Sequence, residues 1–65
     1  MERTKMAVIN VTFNISGAID TVKEATVWVE DCGLNTSEQE KVRECLSEGV
    51  RLLEEAYDIV DHVKV

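Results

Sequence analysis

Proline is absent from this chain, glycine occurs three times, cysteine twice, and Trp, Tyr, Phe and His once each. Each scarcity closes a door. Cys32 and Cys45 are too few for a disulfide framework and lack the CxxC spacing of redox or zinc motifs, so reduced thiols in a cytoplasmic compartment are expected. Aromatic residues make up 5% of a chain that is 45% hydrophobic, which leaves few large anchors for a core. At 65 residues a lone core is marginal without a metal, a disulfide or a partner chain, so self-association is the first expectation. No run approaches the ~18 consecutive apolar residues of a membrane helix, and the start Met1-Glu2-Arg3-Thr4-Lys5 is not followed by a continuous apolar leader. Basic charge is also short, at 7 Lys plus Arg against 13 Asp plus Glu, for a net charge of −6. The three Asn-x-Ser/Thr sequons, at Asn10, Asn14 and Asn35, are read as chance in a chain with no secretion signal.

What is present is patterned. From Lys5 to Ile15, Ala7, Ile9, Val11, Phe13 and Ile15 alternate with Asn10, Thr12 and Asn14, the period of a half-buried strand, and Ser16-Gly17 ends it. Beyond it, Ile19, Val22, Ala25, Val29 and Cys32 recur at helical spacing, with Asp20 and Glu24 early, where the helix dipole favours acids. The strand formers Thr26-Val27-Trp28-Val29 leave a second strand open as an alternative. Gly33 suits the left-handed residue that follows a helix, with Leu34 as its hydrophobic clasp. Ser37 and Glu40 read as a capping box opening a second helix, which no breaker interrupts before His62.

The expected fold is therefore a single small α+β domain over 1–65 with β-α-α order: strand about 5–15, helix about 18–32, long helix about 37–62. On the second helix Val42, Leu46, Gly49, Leu53, Ala56, Val60 and Val63 step by four and three, a heptad seam. Cys45, Val50, Leu52, Tyr57 and Ile59 widen the apolar side beyond what one partner needs. A lone strand also leaves unpaired backbone along both edges. Homodimerisation or higher oligomerisation answers both demands, with Val42, Leu46, Gly49, Leu53, Ala56, Val60 and Phe13 as the self-association seam and Gly49 allowing close helix approach.

Opposite the seam lie Glu44, Glu48, Glu54, Glu55, Asp58 and Asp61, with Arg51 among them, so nearly all the net charge falls on one helix face. Such a stripe is either a solubilising surface or a contact for a basic partner. Catalysis finds no support. The sole His62 is near the chain end, the cysteines fall on apolar positions, the carboxylates face water, and no GxGxxG, P-loop or HExxH motif occurs. His62 with Asp58 and Asp61 is too sparse for a metal site, and no metal or cofactor is expected. Trp28 and Tyr57 are the remaining large anchors, for a core or for an interface.

A strand, a helix, a glycine turn and a capped helix together resemble the ribbon-helix-helix DNA-binding family over roughly 5–53. That resemblance implies a paired ribbon carrying Asn10, Thr12 and Asn14 to the bases. It also implies phosphate held at the start of the second helix by Thr36 and Ser37, near Lys41 and Arg43. The longer strand, the much longer second helix, Gln39 where that family buries an aliphatic, and the acidic balance depart from it. The leading expectation is a non-enzymatic, cytoplasmic, homo-oligomeric interaction protein, of the phage-type or accessory inhibitor kind, using its acidic helix face against a basic protein. A ribbon-helix-helix-like regulator or antitoxin is the alternative. A small-ligand sponge with a pocket between subunits is the third.

Overall fold

In a computed structural model, which describes residues 2–63, the chain is a helical hairpin. Helix α1 spans Arg3–Val27, a single 3-10 turn spans Val29–Asp31, and helix α2 spans Thr36–Asp61. The expected β-α-α order is overturned, because no strand occurs among the described residues and 5–15 is the first half of α1. The reason lies in where the backbone hydrogen bonds go. A single strand in this chain has no ladder partner, whereas a helix closes its N–H and C=O groups internally.

Local side-chain bonds fit the same outcome. Thr12 donates from Oγ1 to the Val8 carbonyl at 2.9 Å, and Asn14 donates from Nδ2 to the Asn10 carbonyl at 2.9 Å. The period-two pattern was moreover one-sided only in appearance, since Met6 and Val8 are apolar on the supposed polar face. Read at heptad spacing, Val8, Thr12, Ile15, Ile19, Val22 and Thr26 form a seam on α1, and all six are half-buried.

The seam expected on α2 exists and is taken up within the chain. Val42, Leu46, Gly49, Leu53, Ala56 and Val60 are half-buried on the side of α2 that packs against α1. Phe13 does not join them, being 77% exposed on α1. The expected need for a strand partner from another copy disappears with the strand.

The connection is built from short-range chemistry. Gly33 adopts φ +80°, the left-handed conformation expected of it, but it ends the 3-10 turn and not a helix running to Cys32. The alternative strand over 26–29 does not form either, since Val27 closes α1 and Val29 opens the turn. Val29 is 3% exposed and is the single buried hydrophobe among the described residues, so it plugs the closed end of the hairpin. Leu34, half-buried, accepts a hydrogen bond through its carbonyl from Gln39 Nε2 at 3.0 Å.

The capping box lies two residues earlier than Ser37 and Glu40. Asn35 is the cap, its Oδ1 accepting from the Glu38 N–H at 2.8 Å while the Asn35 N–H donates to Glu38 Oε1 at 3.1 Å. Sequence offers both boxes, and the chain uses the one directly after the glycine turn, which starts α2 at Thr36. Asn35→Ala is expected to cost about 1 kcal/mol, read as a lower midpoint in urea titration at unchanged slope.

The hairpin is antiparallel. Lys23 and Thr26 share a furrow with Arg43, Leu46, Val50 and Glu54, and Ser16 and Ile19 share an open cleft with Glu54, Tyr57 and Asp58. Carried along both helices, that register sets Thr12 level with Asp61, so the first turns of α1 reach past the last turn of α2. The principal extents of 50 × 16 × 11 Å agree, since helices of 25 and 26 residues are each only about 38 Å long. No helix is long and apolar enough to cross a membrane among the described residues.

Candidate functional site

The acidic stripe forms along the outer side of α2, away from the seam, because its residues occupy the heptad positions that α1 leaves to water. Glu44, Glu48, Glu54, Glu55, Asp58 and Asp61 are all exposed. They are not equivalent. Arg51 Nε donates to Glu48 Oε2 at 3.1 Å, and Arg51 Nη1 lies 3.5 Å from Glu55 Oε2, so one guanidinium bridges a carboxylate on each neighbouring turn.

The Arg51 hydrogen bond holds the Glu48 carboxyl below its ordinary pKa, and Glu48 in turn raises the Arg51 guanidinium above its own. A lowered carboxylate pKa means that the pair contributes fully above the ordinary carboxylate range. The contribution fades as the pH falls through the lowered value. Both groups are exposed, so the pair mainly shapes the surface. Among the described residues, Glu44, Glu54, Asp58 and Asp61 have no ion pair. From Glu54 to Asp61 the helix carries four acids and no Lys or Arg. No basic residue occupies the last turn of α2, where a helix favours cations. Within α2 this C-terminal part is the more strongly negative.

The residues that the DNA-binding resemblance singled out are scattered by the hairpin. Asn10 and Asn14 are exposed and Thr12 is half-buried, all three on α1, so the ribbon they were to ride on is not formed. Lys41 is exposed on α2, while Arg43 Nη2 reaches Glu30 Oε1 at 3.3 Å and ties α2 to the turn. The two groups lie toward opposite ends of the hairpin.

Both cysteines are free and exposed, which corrects their placement on covered apolar faces. Cys32 Sγ is 3.4 Å from the Trp28 carbonyl. Among the described residues no group of three or more His, Cys, Asp or Glu is arranged to hold a metal.

One surface was not singled out from the sequence. Residues 6–19 contain no charged side chain, and as helix they present Met6 (50% exposed), Ile9 (49%), Val11 (42%) and Phe13 (77%) to solvent. The signal that reveals it is the missing charge on every side of a helix, which alternation had disguised as strand patterning. At the closed end Val27 and Trp28 are 70% and 60% exposed, so Trp28 is a surface anchor and not a core one. Compared with known proteins, the chain matches no family model, no curated protein and no solved structure.

Proposed function

We propose that this chain is a non-enzymatic protein-interaction module, self-associating and of the inhibitor or accessory kind, that presents the acidic side of α2 to a basic surface on a partner protein. The observation that carries the reading is the segregation of charge on the hairpin. The acids stand in successive turns of one unbroken helix, and two of them, Glu48 and Glu55, are held in place by Arg51. A rigid row of carboxylates at 1.5 Å rise per residue speeds encounter with a basic groove and rejects acidic surfaces by like-charge repulsion.

The experiment is affinity capture from the source cell with the wild-type chain and with Glu44→Lys, Glu48→Lys and Glu55→Lys combined. Expected is one or a few basic proteins held by the wild type, released as salt is raised, and not held by the variant, with the helical circular dichroism of both unchanged. Equal capture of the same proteins by the variant rejects the acidic face as the binding surface.

A further inference from the structure

We infer that the uncharged first half of α1 is the docking surface for a second copy of this chain. In this pairing two hairpins join through antiparallel α1 segments about a two-fold axis at Ile9. The inference rests on the self-associating part of the reading above and gives it a face and a register.

Area gives the first argument. The chain exposes 5177 Å², about 1,000 Å² more than a compact monomer of its mass. A standard stable interface takes about 800 Å² from each partner, so the excess is of the size that one dimer contact removes. Over 14 residues the helix carries no charge, and Met6, Ile9 and Phe13 leave an apolar row on its open side. Here the covering cannot come wholly from α2, past whose last turn the segment projects.

Two polar residues of the segment lower the cost of burial. Thr12 and Asn14 already hydrogen-bond to the carbonyls of Val8 and Asn10, so covering them leaves the Thr12 hydroxyl donor and one Asn14 donor paired. The other exposed apolar row, Leu52 and Ile59 on α2, lies beside Glu48 and Glu55, and burying it brings those charges toward a low-dielectric contact.

Charge and spacing then set the partner and the register. Met6, Ile9 and Phe13 fall on one side of α1, three and four residues apart. An isologous contact centred on Ile9 sets Ile9 against Ile9 of the second copy and brings Met6 within one residue of the level of its Phe13. In the same register Arg3 and Lys5, the only cations of α1 before Lys23, come level with Ile15 and Phe13 of the other chain. Ser16 lines the cleft of about 430 Å³ whose far wall carries Glu54 and Asp58. Arg3 of one copy thus comes within about one residue of the level of the other's cleft, twice by symmetry.

Sedimentation equilibrium from micromolar to sub-millimolar concentration tests it, together with a short bis-maleimide cross-link in a Cys32→Ser, Cys45→Ser background. The wild type is expected to be a dimer, and Phe13→Glu to raise its dissociation constant at least about 100-fold, since the change is made twice at the centre of the contact. Leu52→Glu is expected to leave it unchanged. Ile9→Cys should cross-link into dimers and Val27→Cys, at the other end of α1, should not. Arg3→Glu with Lys5→Glu should weaken the dimer, and adding Glu54→Lys with Asp58→Lys should restore it. A monomeric wild type overturns both this inference and the self-associating part of the proposed function. A wild-type dimer that Leu52→Glu dissociates, or that forms with no cross-link at Ile9→Cys, overturns this surface alone. If Phe13→Glu loses its helical dichroism, the cross-link and the charge restoration decide the matter on folded chains.

Discussion

Val29→Asp is expected to open the hairpin. Val29 is the single buried hydrophobe among the described residues, and it sits where α1, the 3-10 turn and the start of α2 converge. Placing a carboxylate there removes an apolar side chain and leaves a charge without a partner beside Glu30 and Asp31, a cost on the order of 3 kcal/mol or more. A domain of this size holds roughly 3–10 kcal/mol in all, and one with so little buried surface belongs at the low end. The expected result is loss of cooperative unfolding and of most helical dichroism at 25 °C. Val29→Ala separates packing from charge, with an expected loss of about 1–2 kcal/mol and retention of the fold. A variant Val29→Asp that melts as the wild type does would show that the closed end contributes little to stability.

The opposite sign is expected from Gly17→Ala combined with Gly49→Ala. Both glycines are interior to helices, neither has a positive φ, and a Cβ added at either meets no atom within 4 Å. Alanine gains about 1 kcal/mol of helix propensity at each site, chiefly by restricting the unfolded chain. The antiparallel register keeps the two positions about two turns apart, roughly 11 Å along the hairpin, so the gains add. For a domain of this size 2 kcal/mol raises the melting temperature by roughly 10 °C or more, measured by calorimetry at fixed protein concentration. The result at Gly49 is informative beyond stability. Gly49 lies on the seam toward α1, and close packing was expected there from sequence, yet the hairpin leaves room for a methyl group. A destabilising Gly49→Ala would mean that another helix approaches that point in the assembled protein.

The second helix was legible because several independent signals agree along it. An unbroken run without proline, a heptad seam and a glycine turn ahead of it all specify the same element, while the cap expected at Ser37 and Glu40 is instead Asn35 with Glu38, which moves its first residue. The first helix was not legible, because the residues from Met6 to Ile15 carry two periods at once. Val8, Thr12 and Ile15 fit a heptad, while Ala7, Ile9, Val11, Phe13 and Ile15 fit alternation. Propensity favoured the strand, since the segment is β-branched and aromatic. The hydrogen-bond accounting favoured the helix, and a ladder partner is the thing this chain does not contain.

The candidate surfaces divide along the same line. The acidic side of α2 follows from composition and helical period alone. Which carboxylates stand free and which are pinned by Arg51 required the side-chain geometry. The uncharged stretch 6–19 is plain in the letters, but its meaning inverts with the fold, from a buried strand face to an exposed helix that projects past its neighbour.

Composition and spacing thus settled that this chain has a long, capped, amphipathic second helix with its negative charge on one side and too little core to be generous. They settled this because those properties depend only on neighbours three and four residues away. Tertiary packing decided that the first half of the chain is helix, that the α2 seam is spent on α1 within one copy, and that Met6, Ile9 and Phe13 are left outside. Those outcomes depend on which partner is within reach of the backbone, and that partner lies some forty residues along the chain.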